Sequence, residues 1–126
     1  MRSDIAKDTW YSATLNSDTN GSWIDVANAL PFEGVPVEVM LRGGSTSGSA
    51  GSLLVVFEAS ADASTVLETL WSKSYVLAVA ANSSDYDEIV RNVTTRHRYV
   101  RVRFDFTGTI DGDVTAFVGV VTGPIS

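Results

Sequence analysis

The stretch Tyr99-Val100-Arg101-Val102-Arg103-Phe104-Asp105-Phe106 decides the fold class. Apolar Val100, Val102, Phe104 and Phe106 alternate strictly with Tyr99, Arg101, Arg103 and Asp105. Successive side chains of a strand point to opposite faces, so this is a strand with one buried and one polar face. The run 35–42 repeats the pattern. Val35, Val37, Val39 and Leu41 face one way, while Glu38 and Arg42 face the other. Pro36 has no N–H to contribute to a ladder and belongs at a strand start or an edge.

Outward from these two runs, further strands are predicted at 10–15, 22–27, 52–60, 74–81, 87–92 and 113–122. The nearly continuous apolar runs 53–57 and 118–121 read as strands covered on both faces or lying at a subunit contact. Asn20-Gly21 and Asp111-Gly112 have the composition of tight hairpin turns. Residues 43–52 are a flexible Gly/Ser loop, and residues 1–12 an extended N-terminal arm. The segment 61–70 is the single helix candidate, at most a short turn capped by Asp62 or Ser64. At 126 residues, with no internal repeat and no dividing linker, the chain reads as one all-β domain. The architecture expected is an antiparallel β-sandwich, taken as an eight-stranded jelly roll.

Composition narrows the chemistry. The chain has no cysteine, which removes disulfides, thiolate metal sites and cysteine nucleophiles. A net charge of −6 argues against a phosphate-binding role, so no nucleic-acid partner is expected. The charge is uneven: 4 basic and 12 acidic residues precede position 91, and 5 basic and 3 acidic follow. The first eight residues hold no apolar signal core, and no apolar run approaches the about 20 residues that span a bilayer. The expectation is a soluble protein made in the cytoplasm, without a membrane partner.

Each motif that suggests chemistry has a plainer reading. His97 is the only histidine, so a histidine metal cluster is excluded, and it reads as a turn residue. Alternation places Asp85 and Asp87 on one strand face, which does not exclude a glycosidase carboxylate pair, but nothing else marks a cleft. Asn16-x-Asp18-x-Asn20-Gly21 opens like a calcium loop, yet Ala27 occupies the position that needs a bidentate Glu. The loop 43–50 has phosphate-loop glycine spacing without the Lys-Ser/Thr that must follow. No catalytic, cofactor-binding or metal-binding residue is therefore assigned. Trp10, Trp23, Trp71, Tyr75 and Tyr86 read either as core and interface anchors or as a sugar-stacking platform.

The sharpest surface feature is Arg96, Arg98, Arg101 and Arg103 around Tyr99. Such a face is a solvated surface, a protein interface or a single-strand nucleic-acid platform, and the net acidity favours carboxylate partners. The candidate interface residues are Trp10, Tyr11, Arg42, Tyr99, Arg101 and Arg103. On this reading, Arg101→Glu with Arg103→Glu leaves the fold intact and weakens association.

Several stretches in order along the chain resemble the jelly-roll capsid cement, or decoration, proteins of tailed bacteriophages. They are Tyr11-Ser12-Ala13-Thr14-Leu15 followed by Trp23-Ile24-Asp25-Val26, then Val37-Glu38-Val39 before a small-residue loop. Next come Leu54-Val55-Val56-Phe57-Glu58-Ala59-Ser60 leading to Ala61-Asp62, and Arg98-Tyr99-Val100-Arg101-Val102-Arg103-Phe104. Gly112-Asp113-Val114-Thr115-Ala116-Phe117-Val118 closes the series. Glu58-Ala59-Ser60-Ala61-Asp62 and Tyr99-Val100-Arg101 are similar to steps in that family's strands. The resemblance implies a non-enzymatic virion protein on the outer capsid surface. It would bridge neighbouring capsomers, with the major capsid protein and its own copies, as a homo-dimer or homo-trimer, for partners. No contact residue carries over from the resemblance. The alternative on the same fold is a carbohydrate-binding module or a phage fibre, receptor-binding domain.

Overall fold

A computed structural model describes residues 9–26, 34–43, 51–77, 86–108 and 113–121. The described residues are all-β, with nine strands and no helix. The strands are β1 (Thr9–Leu15), β2 (Thr19–Asn20), β3 (Ile24–Asp25), β4 (Val35–Gly43), β5 (Gly51–Ser60), β6 (Glu68–Leu77), β7 (Tyr86–Val93), β8 (Tyr99–Thr107) and β9 (Val114–Val120). They form two antiparallel sheets packed as a β-sandwich. One sheet has the order β1-β9-β4-β7, the other β2-β8-β5-β6, and β3 also pairs with β8. Both β2 and β3 lie along β8, at Arg103–Phe104 and at Tyr99–Val100 respectively. The nine strands thus fill eight positions. The pairing is nested: β1 with β9, β2 and β3 with β8, β4 with β7, β5 with β6.

The alternation that predicted the strands also builds the core. Val100, Val102 and Phe104 of β8 are fully buried, as are Val37, Val39 and Leu41 of β4. They meet Leu53, Val55 and Phe57 of β5 and Val114 and Val118 of β9 between the sheets. Phe57 is the aromatic centre, with Trp10 edge-on at 5.2 Å and Trp71 tilted at 4.8 Å. Burying such side chains removes roughly 2–3 kcal/mol each of exposed apolar cost, which is what holds two sheets together.

Several expectations are corrected. Asn20-Gly21 does not close a hairpin: β1 belongs to one sheet, and β2 and β3 to the other. Gly21 is needed instead for close approach. Its N–H donates to the Val102 carbonyl, and a Cβ there would lie 2.9 Å from that oxygen. Asp111-Gly112 lies outside the described residues; β8 and β9, before and after it, belong to different sheets. A two-residue turn signal cannot tell a hairpin from a crossing between sheets.

The helix candidate 61–70 is a turn that runs into β6 from Glu68. Asp62 does act as a cap, with its Oδ1 accepting the N–H groups of Ser64 and Thr65. The left-handed Ala63 (φ 61°) breaks any helical course, and pairing with β5 extends the rest. Of the expected arm 1–12, residues 9–12 belong to β1, and residues 1–8 lie outside the described residues. The Gly/Ser loop is shorter than 43–52, because Gly43 ends β4 and Gly51 begins β5; residues 44–50 lie outside the described residues.

Candidate functional site

The two outward faces of the sandwich differ in chemistry. On the β2-β8-β5-β6 sheet, the register sets Arg101 directly opposite Glu58, and Arg103 opposite Val56. Glu58 is the one charged residue of β5 and is only 4 % exposed. Its Oε1 accepts from Arg101 Nε at 2.9 Å and its Oε2 from Arg103 Nε at 2.8 Å. Arg103 also pairs with Asp105. The hydrogen bond to Glu58 holds the Arg103 guanidinium above its usual range. Trp23 stacks over Arg101 at 4.5 Å, and Arg98 pairs with Asp25 at 2.7 Å while lying over the Tyr99 ring. A buried carboxylate requires such partners, since leaving water costs far more than one ion pair returns.

Of the arginine cluster predicted as an interface, Arg98, Arg101 and Arg103 thus pair with carboxylates of the same chain. Arg101→Glu with Arg103→Glu would set two new carboxylates against the buried Glu58, so this variant is expected to lose stability as well as surface charge. Trp10, also named as an interface candidate, is 4 % exposed and packs on Phe57 in the core. Tyr11 is half-buried with its ring 4.7 Å from Phe104, and desolvation raises its hydroxyl pKa. Tyr99 is half-buried on the outward face of β8.

The sugar-platform aromatics point elsewhere. Trp71 packs on Phe57, and Tyr75 and Tyr86 pack on each other at 4.9 Å. Tyr75 donates to Glu88 Oε1 at 2.8 Å, Lys73 reaches the same carboxylate at 2.9 Å, and the Tyr86 hydroxyl donates to the Val76 carbonyl. These contacts tie β6, the outer strand of one sheet, to β7, the outer strand of the other. The Lys73 hydrogen bond lowers the Glu88 pKa, whereas burial and the Glu88 bond push the Tyr75 hydroxyl well up.

The remaining candidates are structural in their contacts. His97 lies in the turn before β8, its Nε2 3.8 Å from Glu68, which also accepts from Thr95 at 3.1 Å. Asp18 accepts the N–H of Phe106 at 2.7 Å, and Asn16 donates to Asp113 at 3.3 Å. Among the described residues, no group of three or more acidic or histidine side chains is placed to hold a metal ion. Asp85 lies outside the described residues.

The face of the β1-β9-β4-β7 sheet is the one that sequence reasoning passed over. Glu38, Met40 and Arg42 of β4 point outward. Beside Met40, the register places Phe117 of β9 on one side and Asp87 of β7 on the other. Ile89 lies opposite Glu38. Met40 and Phe117 are half-exposed, and Ile89 is 41 % exposed. Glu38 shares a hydrogen bond with Asp87 that raises its pKa, and Arg42 pulls it the other way. Arg42 itself donates to the carbonyls of Leu41 and Tyr86 and stays exposed. Of the six candidate interface residues, only Arg42 belongs to this face. The signal for it was present: Met40 and Phe117 occupy polar-side positions of their alternating runs. No family model and no curated protein matches this chain.

Proposed function

We propose that this chain is a non-enzymatic structural protein of a phage head. It docks on the outside of the capsid and stabilises contacts between capsomers as a homo-oligomer. The nested strand pairing carries this reading. Pairs β1–β9, β2/β3–β8, β4–β7 and β5–β6 lie within the two antiparallel sheets of the sandwich, and this nesting supports reading it as a ribbon rolled on itself, as in a jelly roll. That is the fold the sequence resemblance implies, and viral shell proteins are among its main users. The polar framework fits the same task. Glu58, Arg101, Arg103, Glu88 and Lys73 pair within the chain, giving a rigid body that adds contact area at repeated seams. Many identical weak contacts then stabilise a shell together.

The experiment is to purify particles produced by the genome that encodes the chain and to label them with a gold-tagged antibody against it. Many copies on the head are expected. Label at the tail tip overturns the reading in favour of a fibre domain, and particles without the chain overturn it altogether.

A further inference from the structure

We propose that the outward face of the β1-β9-β4-β7 sheet is where two copies of this chain meet, with β4 running antiparallel over β4 of the second copy. Along β4, the outward positions read Glu38, Met40, Arg42: an acid, an apolar side chain, a base. This order is self-complementary. A two-fold axis crossing the strands at Met40 lays Glu38 of each copy against Arg42 of the other. A two-fold interface uses the same patch twice, so one strand supplies both ion pairs.

The surroundings fit a sheet-on-sheet contact. Phe117 lies directly beside Met40, and Ile89 lies beside Glu38, so the centre of the face is apolar. Around it are Ser12, Thr14, Thr115 and Gly119, which are small enough to leave the face flat. Two flat faces of this kind pack about 10 Å apart with their strands nearly aligned. Asp87 would meet its own copy at the open β7 edge, where water and salt screen the repulsion. The opposite sheet offers no such match, because its arginines already pair with Glu58, Asp105 and Asp25. Charge complementarity therefore selects a second copy as the occupant.

The test is the mass in solution over a concentration series, by light scattering and sedimentation, for four samples: wild type, Glu38→Arg, Arg42→Glu, and an equimolar mixture of the two variants. Wild type is expected to dimerise. Each variant alone sets like charges against each other and is expected to weaken the dimer about tenfold or more. The mixture restores opposite charges and is expected to recover the dimer, which also shows that both variants are folded. Ile89→Lys, at a side chain that is already 41 % exposed, should weaken the dimer without disturbing the core.

A monomeric wild type overturns the proposal. So do single variants that dimerise like wild type, a mixture that stays monomeric with both variants folded by circular dichroism, or an unchanged dimer with Ile89→Lys. This inference deepens the oligomeric part of the preceding reading, and the two fail separately. A monomer that still labels phage heads defeats the dimer alone, while a charge-swapped dimer absent from particles defeats the capsid role alone.

Discussion

Glu58 shows how one residue can redirect the reading of a surface. In sequence it is a lone acid directly after Leu54-Val55-Val56-Phe57, and a carboxylate is almost never buried without a partner. The two arginines that meet it come from β8, 43 and 45 residues away along the chain. Glu58→Ala should cost about 2–4 kcal/mol in urea unfolding, because it leaves two half-buried guanidinium groups facing each other. A loss under half a unit on that scale would mean that water replaces the carboxylate at little cost. Glu38 has the opposite sign. Its pKa is raised mainly by the hydrogen bond to Asp87, so its stabilising share is full in acid and is lost as pH rises through the folded-state value. In dilute protein, where copies do not associate, Glu38→Gln is therefore expected to raise neutral-pH stability by up to about 0.5 kcal/mol, the small scale of a screened surface pair. Thermal unfolding at acidic and neutral pH checks both the gain and its disappearance in acid.

At the scale of elements, β6 and β7 are the outer strands on one side of the sandwich, and outer strands invite unwanted pairing. Here they are tied to each other through Glu88, which receives Lys73 and Tyr75. The Glu88 pKa is lowered chiefly by Lys73, so this contribution is present above the unfolded carboxylate range and is lost as pH falls through the folded value. Glu88→Gln should cost about 0.5 kcal/mol near neutrality and nothing in acid, since the carboxylate is 36 % exposed. Amide exchange along β6 should quicken in the same variant while β5 and β8 stay protected. Equal exchange in both proteins would mean that the backbone ladder to β5 alone fixes β6. The turn 61–65 makes a related point: Asp62 was legible as a cap, but a cap serves turns and helices alike, and only pairing with β5 sends the following residues into a strand.

For the whole molecule, the nested pairing makes the first and last strands neighbours. Leu15 faces Val114, and Thr9 faces Gly119, so segments about 100 residues apart must find each other before β1 and β9 are stable. Contacts so distant in sequence slow folding to about the millisecond-to-second range of all-β sandwiches. Stopped-flow tryptophan fluorescence, reporting on Trp10 and Trp71 beside Phe57, should show it; completion within microseconds would contradict the dominance of long-range pairing. The all-β class, the long strands and the inward set Val100, Val102, Phe104, Val37, Val39 and Leu41 were determined by the sequence alone, because side-chain alternation is a local property of a pleated strand. Sheet membership, the fate of Asn20-Gly21, and the pairing of Arg101 and Arg103 with Glu58 were decided only by the tertiary structure. Each depends on which distant strand lies alongside. Arg101 reads as a free surface charge until β5 brings Glu58 opposite it, and Met40 and Phe117 form one apolar patch only because β4 and β9, far apart in sequence, are neighbours in the sheet.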